Sequence, residues 1–181
     1  MRRARLTGLS LLTLALLWTE EGEAQWTAPR KWHRVSLGVG PAEALSRVSP
    51  LAREGVAMMA AFELVAVKHL EVRFSGTGFK RGGAAAMQLG GVAVDGVIFP
   101  WRGRVQPYVG GGIGVYQLIV EDRSPTAAES RLDHQGTAWT ALVGSRVRVG
   151  SVTPFVEWRR TEFAADAPGR RYSPVLVGLH L

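Results

Sequence analysis

The run RVQPYVGGGIGVY, residues 104–116, restricts the fold more than any other part of this 181-residue chain. Val105, Pro107, Val109, Gly111, Ile113 and Val115 fall on one alternate set of positions. Arg104, Gln106, Tyr108, Gly110, Gly112, Gly114 and Tyr116 fall on the other. A period of two belongs to a strand, whose successive side chains point to opposite faces. One face is apolar and the other small or polar, and the apolar run ends near Glu121. The glycines do not make a phosphate cradle. No Lys-Ser/Thr pair follows them, nor a helix to supply amide donors.

The same alternation recurs along the chain. Val35, Leu37 and Val39 oppose Arg34, Ser36 and Gly38; Met58, Ala60, Phe62 and Leu64 oppose Glu63; Leu70, Val72 and Phe74 oppose Glu71, Arg73 and Ser75. A fourth strand is expected over residues 85–99, with a bulge or kink at Gly90-Gly91. A sixth sets Trp139, Ala141, Val143, Val147 and Val149 against Thr140, Leu142, Gly144, Arg146 and Arg148. The seventh sets Val152, Pro154, Val156 and Trp158 against Thr153, Phe155, Glu157 and Arg159; the eighth runs from Tyr172 to Leu181. Gly150-Ser151 has the composition of a two-residue hairpin turn. The expected connections are 40–55, 67–69, 79–83, 99–103, 122–133, 150–151 and 163–171, broadly alternating long and short.

Residues 1–24 read as a cleavable signal peptide. Arg2, Arg3 and Arg5 precede the apolar stretch 9–18, and Gly22-Glu23-Ala24 offers a small-residue cleavage site. Residues 25–31 form a short lead, and 32–181 the barrel domain. No apolar run outside the N-terminus is long enough for a spanning helix. There is no cysteine, so no disulfide framework. The net charge of +7 comes from 19 arginines and three lysines. Arginine spread along strands in an exported chain does not suggest nucleic acid, and no nucleic-acid partner is expected.

Alternation leaves open which face is inside. A soluble barrel buries its apolar face; a membrane barrel turns it outward. Three features favour the second arrangement. Gly38, Gly110, Gly112, Gly114, Gly144 and Gly178 lie on the polar face, where small residues make room in a narrow lumen. Strand charges are almost all Arg, Glu and Asp, which can pair internally, while Lys31, Lys68 and Lys80 sit in the lead, turns or loops. Trp139 and Trp158 lie on the apolar face near the loop ends, where an aromatic girdle belongs.

Residues 106–116, QPYVGGGIGVY, resemble the "PYvG-G-G-Gy" strand of the outer-membrane beta-barrel domain family, the OmpA/OmpX-like small barrels. Residues 154–159, PFVEWR, are similar to that family's "PFvea-y" strand. The final strand, YSPVLVGLHL, is similar to the C-terminal assembly signal of outer-membrane proteins, but has Leu181 in place of phenylalanine and Leu179 where an aromatic is common. The resemblance implies an all-β, eight-stranded antiparallel up-and-down transmembrane β-barrel in a bacterial outer membrane. It implies outer-membrane lipids, lipopolysaccharide and the barrel assembly machinery as partners. It implies no cofactor and no catalytic residue.

The candidate site is a set of lumen charges: Arg146, Arg148, Glu157, Arg159, Glu63, Glu71, Arg73 and Asp95, with Arg34 as an extension. Glu157 and Arg159 are expected beside Arg146 and Arg148 across the hairpin. Charge in a narrow barrel must be paired, so a structural plug competes with a gated pore. Serine–histidine chemistry finds little support: His33 and Ser36 point to opposite faces, and Ser130, Asp133 and His134 lack an identifiable oxyanion donor. Glu121, Asp122, Glu129, Asp133 and His134 match no metal-loop spacing. The expected role is structural, or binding and adhesion through loops 40–55 and 122–133, without turnover. A soluble periplasmic lipocalin-like carrier is the first alternative, and a lipid-A-modifying barrel enzyme the second.

Overall fold

The structure, a computed structural model, describes residues 33–46, 53–67, 69–81, 85–101, 103–122, 130–164 and 169–181. The segments expected as signal peptide and lead lie outside the described residues. Eight strands follow in order: β1 His33–Ser46, β2 Arg53–Val67, β3 Leu70–Arg81, β4 Ala85–Ile98, β5 Val105–Asp122, β6 Ser130–Val147, β7 Thr153–Phe163 and β8 Gly169–His180. Each pairs antiparallel with the next, and β1 pairs with β8 to close the barrel. The connections after β1, β3, β5 and β7 lie at one end, called here the loop end. Those after β2, β4 and β6 lie at the other, the turn end, together with the start of β1 and the finish of β8.

The phase read from the sequence is the phase observed. Met58, Phe62 and Leu64 point outward while Glu63 is buried; Val156 and Trp158 point outward while Phe155, Glu157 and Arg159 are buried. The wall is therefore apolar outside and polar inside, opposite to what a water-soluble carrier needs, and the lipocalin-like alternative falls. Ile113, at mid-height on β5, is 73% exposed. The apolar outward positions of β5 run from Val105 to Val115. At a rise of ~3.3 Å per residue and a tilt of ~40°, that band stands about 25 Å tall, the height of an outer-membrane hydrocarbon layer.

Above the band, on the loop-end side, the outward positions become polar. Glu43, Glu54, Lys80, Gln88, Gln117 and Asp133 are all exposed there. Gln117 donates to Asp133 at 2.9 Å, and Arg160 pairs with Glu162. Trp139 and Trp158 are the last large apolar outward residues below this collar on β6 and β7, as expected of a girdle.

The interior has two tiers. The loop-end half is apolar, with Ala44, Met59, Phe79, Met87, Leu118 and Tyr172 among its buried residues. The turn-end half holds the charges, with a small apolar cluster of Val97, Phe99, Tyr108 and Leu142 at its base. Glycines make this packing fit: a Cβ on Gly144 would stand 2.5 Å from the Tyr108 ring, and one on Gly178 2.6 Å from the Phe155 ring.

Two expectations need correction. The connections 40–55 and 122–133 are much shorter than the sequence suggested. β1 continues to Ser46, β2 begins at Arg53, β5 reaches Asp122 and β6 starts at Ser130. That leaves 47–52 and 123–129 as the connections, and the long–short alternation largely disappears. Pro41 is tolerated because the β1–β8 ladder skips Gly40 and Pro41, where the missing N–H loses no ladder bond. The bulge expected at Gly90-Gly91 is also absent, since both β4 ladders run through it in register. Gly91 instead makes way for a side chain, because a Cβ there would lie 2.2 Å from the Tyr116 ring.

Candidate functional site: the charged lumen

Strand pleating delivers four carboxylates to the turn-end half of the lumen: Glu63 from β2, Glu71 from β3, Asp95 from β4 and Glu157 from β7. Three fully buried guanidiniums meet them, Arg73, Arg146 and Arg159. Arg34 adds a fourth from the rim, with its side chain 19% exposed and 3.9 Å from Glu71. The formal charges of these eight groups cancel. In so narrow a space each carboxylate needs a partner, since an unpaired buried ion costs several kcal/mol.

The pairs form two linked groups. Arg146 grips Glu71 with both terminal nitrogens, at 2.9 and 2.8 Å. Its Nε donates to Gln106 at 2.8 Å, and its guanidinium stacks 4.0 Å over the Phe99 ring. That two-pronged geometry is the strong form of an arginine–carboxylate pair. The second group centres on Glu157, which accepts from Arg73 and, at 2.9 Å, from the Tyr108 hydroxyl. Arg159 Nε lies 3.2 Å from the same carboxylate, and the Arg159 terminus holds Asp95. Arg73 Nε also lies 2.9 Å from Glu63, which receives Ser36 at 3.1 Å and lies 3.0 Å from His180 Nδ1. Ser75 donates to Asp95 at 3.2 Å.

Seven of the eight residues singled out from sequence are thus brought together. Arg148 is not. It lies exposed beyond the end of β6, with no ion pair among the described residues. The expected neighbours across the β6–β7 hairpin also differ. Glu157 sits opposite Gly144 and Arg159 opposite Leu142, while Arg146 sits opposite Phe155. The charges find partners across the lumen rather than along the hairpin. The sequence reading missed His180 and Tyr108 as members of the network. Their phase, shared with Gly178 and with Gly110, already placed both inside.

The other candidate groups are separated. His33 faces outward and stacks 5.9 Å from Phe62, while Ser36 faces inward. Asp133 and His134 are consecutive on β6 rather than in a loop, so their side chains take opposite faces. Among the described residues, no three His, Asp or Glu side chains converge on a cation site.

No protein-family model and no curated protein matches the chain. Its fold does match solved structures. Neisserial surface protein A superposes with a TM-score of 0.68 at 15% identity, over 83% of this chain and 97% of that one. Ail, the attachment invasion locus protein of Yersinia pestis, gives 0.55 at 11%, over 82% and 97%; it has also been solved with the heparin analogue sucrose octasulfate. The N-terminal barrel domain of Pseudomonas aeruginosa OprF gives 0.52 at 11%, over 81% and 97%. Closed topology, outward apolar band and these likenesses agree: the chain has the fold of the small eight-stranded outer-membrane barrels.

Proposed function

We propose that the protein is an exported bacterial outer-membrane barrel that neither conducts ions nor turns over a substrate, and that its loop end carries binding segments on a rigid frame. The observation that carries this reading is the filled lumen. Its opposite charges are paired to neutrality, and an apolar tier lies above them. An eight-stranded wall is only wide enough for side chains to fill it, so a packed interior of this kind leaves no water column.

Rigidity follows from the same packing. Uninterrupted ladders join β3 to β4, β4 to β5 and β5 to β6. A stiff frame fixes the strand ends from which the loop-end connections depart, which lowers the entropic cost of binding there. Residues 47–52 and 123–129 are the segments we assign to that contact, with lipids and lipopolysaccharide around the wall and collar. Ail, which has this fold, has been solved in complex with the heparin analogue sucrose octasulfate, which supports a binding role for a barrel of this kind. The assembly machinery is the partner of β8 during insertion.

The folded barrel in a planar bilayer tests the reading. No channel steps should appear above the bare-bilayer background, and the unheated protein should migrate faster than the boiled one on a gel. Steady single-channel conductance that Glu157→Ala enlarges would replace this reading with a gated pore. Release into buffer without detergent would remove the membrane assignment. Hydrolysis or acyl transfer on purified lipid A that His134→Ala abolishes would establish the enzyme instead.

A further inference from the structure

The residue that left the lumen network marks a second feature. Arg148 N–H donates to the Arg104 carbonyl at 2.8 Å, which continues the β5–β6 ladder one pair beyond Val105 and Val147. Arg104 and Arg148 are therefore directly opposite. The pleat puts them on the face of Gln106 and Arg146, the lumen side, but both are exposed at the turn-end mouth. Like charges directly opposite in a ladder repel and destabilise it. Among the described residues neither makes an ion pair.

Their surroundings deepen the imbalance. Arg34 lies at the same mouth, close enough to Arg146 and Arg148 to be repelled by both. The nearby carboxylate is Glu71, already gripped by Arg146 and 3.9 Å from Arg34. Glu63 is 3.9 Å from Arg146, but Arg73 and His180 hold it. Among the described residues, Arg34, Arg104, Arg146 and Arg148 have one carboxylate at this mouth, Glu71. The eight lumen groups cancel only with Arg34 and Arg146 counted, so Arg104 and Arg148 are the excess positive charge, and it sits at the mouth, where water reaches it.

We propose that the turn-end mouth binds a phosphate-bearing anion between Arg104 and Arg148, with Arg34 as a third donor. Each guanidinium presents N–H groups in a planar fork that matches the oxygens of phosphate. A phosphate group offers oxygens to two forks at once, which a single carboxylate does less well, and a phosphomonoester or pyrophosphate also neutralises both charges. The site is a rim rather than a channel. Its ligand is either a soluble phosphate or the headgroup of a phospholipid beside the wall. That the anion is met in the periplasm rests on the function proposed above; the binding itself does not, and its test is separate from conductance and from cell fractionation.

The test uses the full barrel folded in uncharged micelles, titrated with pyrophosphate at fixed ionic strength and followed by calorimetry and thermal unfolding. Pyrophosphate should raise the unfolding temperature where chloride at equal ionic strength does not. Arg104→Gln and Arg148→Gln should each weaken its binding about tenfold, the loss of one charge-assisted contact. Without the anion both variants should be at least as stable as the parent, because the repelling pair is gone. That second signature separates a binding site from a structural one. In nanodiscs of phosphatidylcholine, an undiminished pyrophosphate effect assigns the site to a soluble phosphate. Stabilisation of the parent, but not the variants, by phosphatidylglycerol discs assigns it to a headgroup. The proposal is overturned if pyrophosphate acts no better than chloride while both disc types treat parent and variants alike. It is equally overturned if the variants bind pyrophosphate as tightly as the parent.

Discussion

Glu157 is where most of the buried charge converges, since Arg73, Arg159 and Tyr108 all address its carboxylate. Glu157→Ala would leave two guanidiniums short of a partner in a space without bulk water. The expected loss is about 3–5 kcal/mol of stability, read from urea unfolding of the folded barrel in micelles. A second prediction contrasts two glycines. Gly144→Ala drives a methyl group into the Tyr108 ring and the Val156 carbonyl, whereas a Cβ on Gly78 meets nothing within 4 Å. The first should cost about 1–3 kcal/mol by overpacking, and Gly78→Ala should change the unfolding midpoint little. At this scale the sequence showed which residues face inward, because phase is local. It did not show which charge meets which. Arg146 and Glu71 are 75 residues apart, and His180 and Glu63 are 117 apart. Those distances in sequence are bridged only by the curvature of the closed wall.

At the scale of the strand, the middles were legible and the ends were not. Inside the hydrocarbon band, the apolar-out, polar-in contrast marks every second residue. Beyond the collar the pleat continues, but Glu43, Glu54 and Asp133 now stand on the outward side. The contrast vanishes while the strand does not, so residues 40–46 and 130–133 looked like loop. The collar supplies its own test. Arginine at Val109, in mid-band, should destabilise the barrel by about 2–4 kcal/mol, whereas arginine at Gln117, four outward positions nearer the loop end, should cost about 0–1 kcal/mol. Equal penalties in refolding titrations into lipid vesicles would mean that the band is not where the wall places it.

For the whole molecule, several of the lumen pairs join strands that are not neighbours. Arg73 of β3 meets Glu157 of β7, and Arg159 of β7 meets Asp95 of β4. A sheet of six strands would have every local ladder satisfied and still carry Arg73 without Glu157, and Asp95 without Arg159. A chain ending at Val147 should therefore fail to become protease-resistant in lipid vesicles, although six of its eight strands are intact. The full chain should insert under the same conditions. The two-tier interior then has a meaning in time as well as in space. Until the last strand seats, ions belonging to the finished lumen face a medium that rejects them, so the wall checks its own completeness. On that prediction a partly built barrel stays at the membrane surface, and only the closed ring inserts.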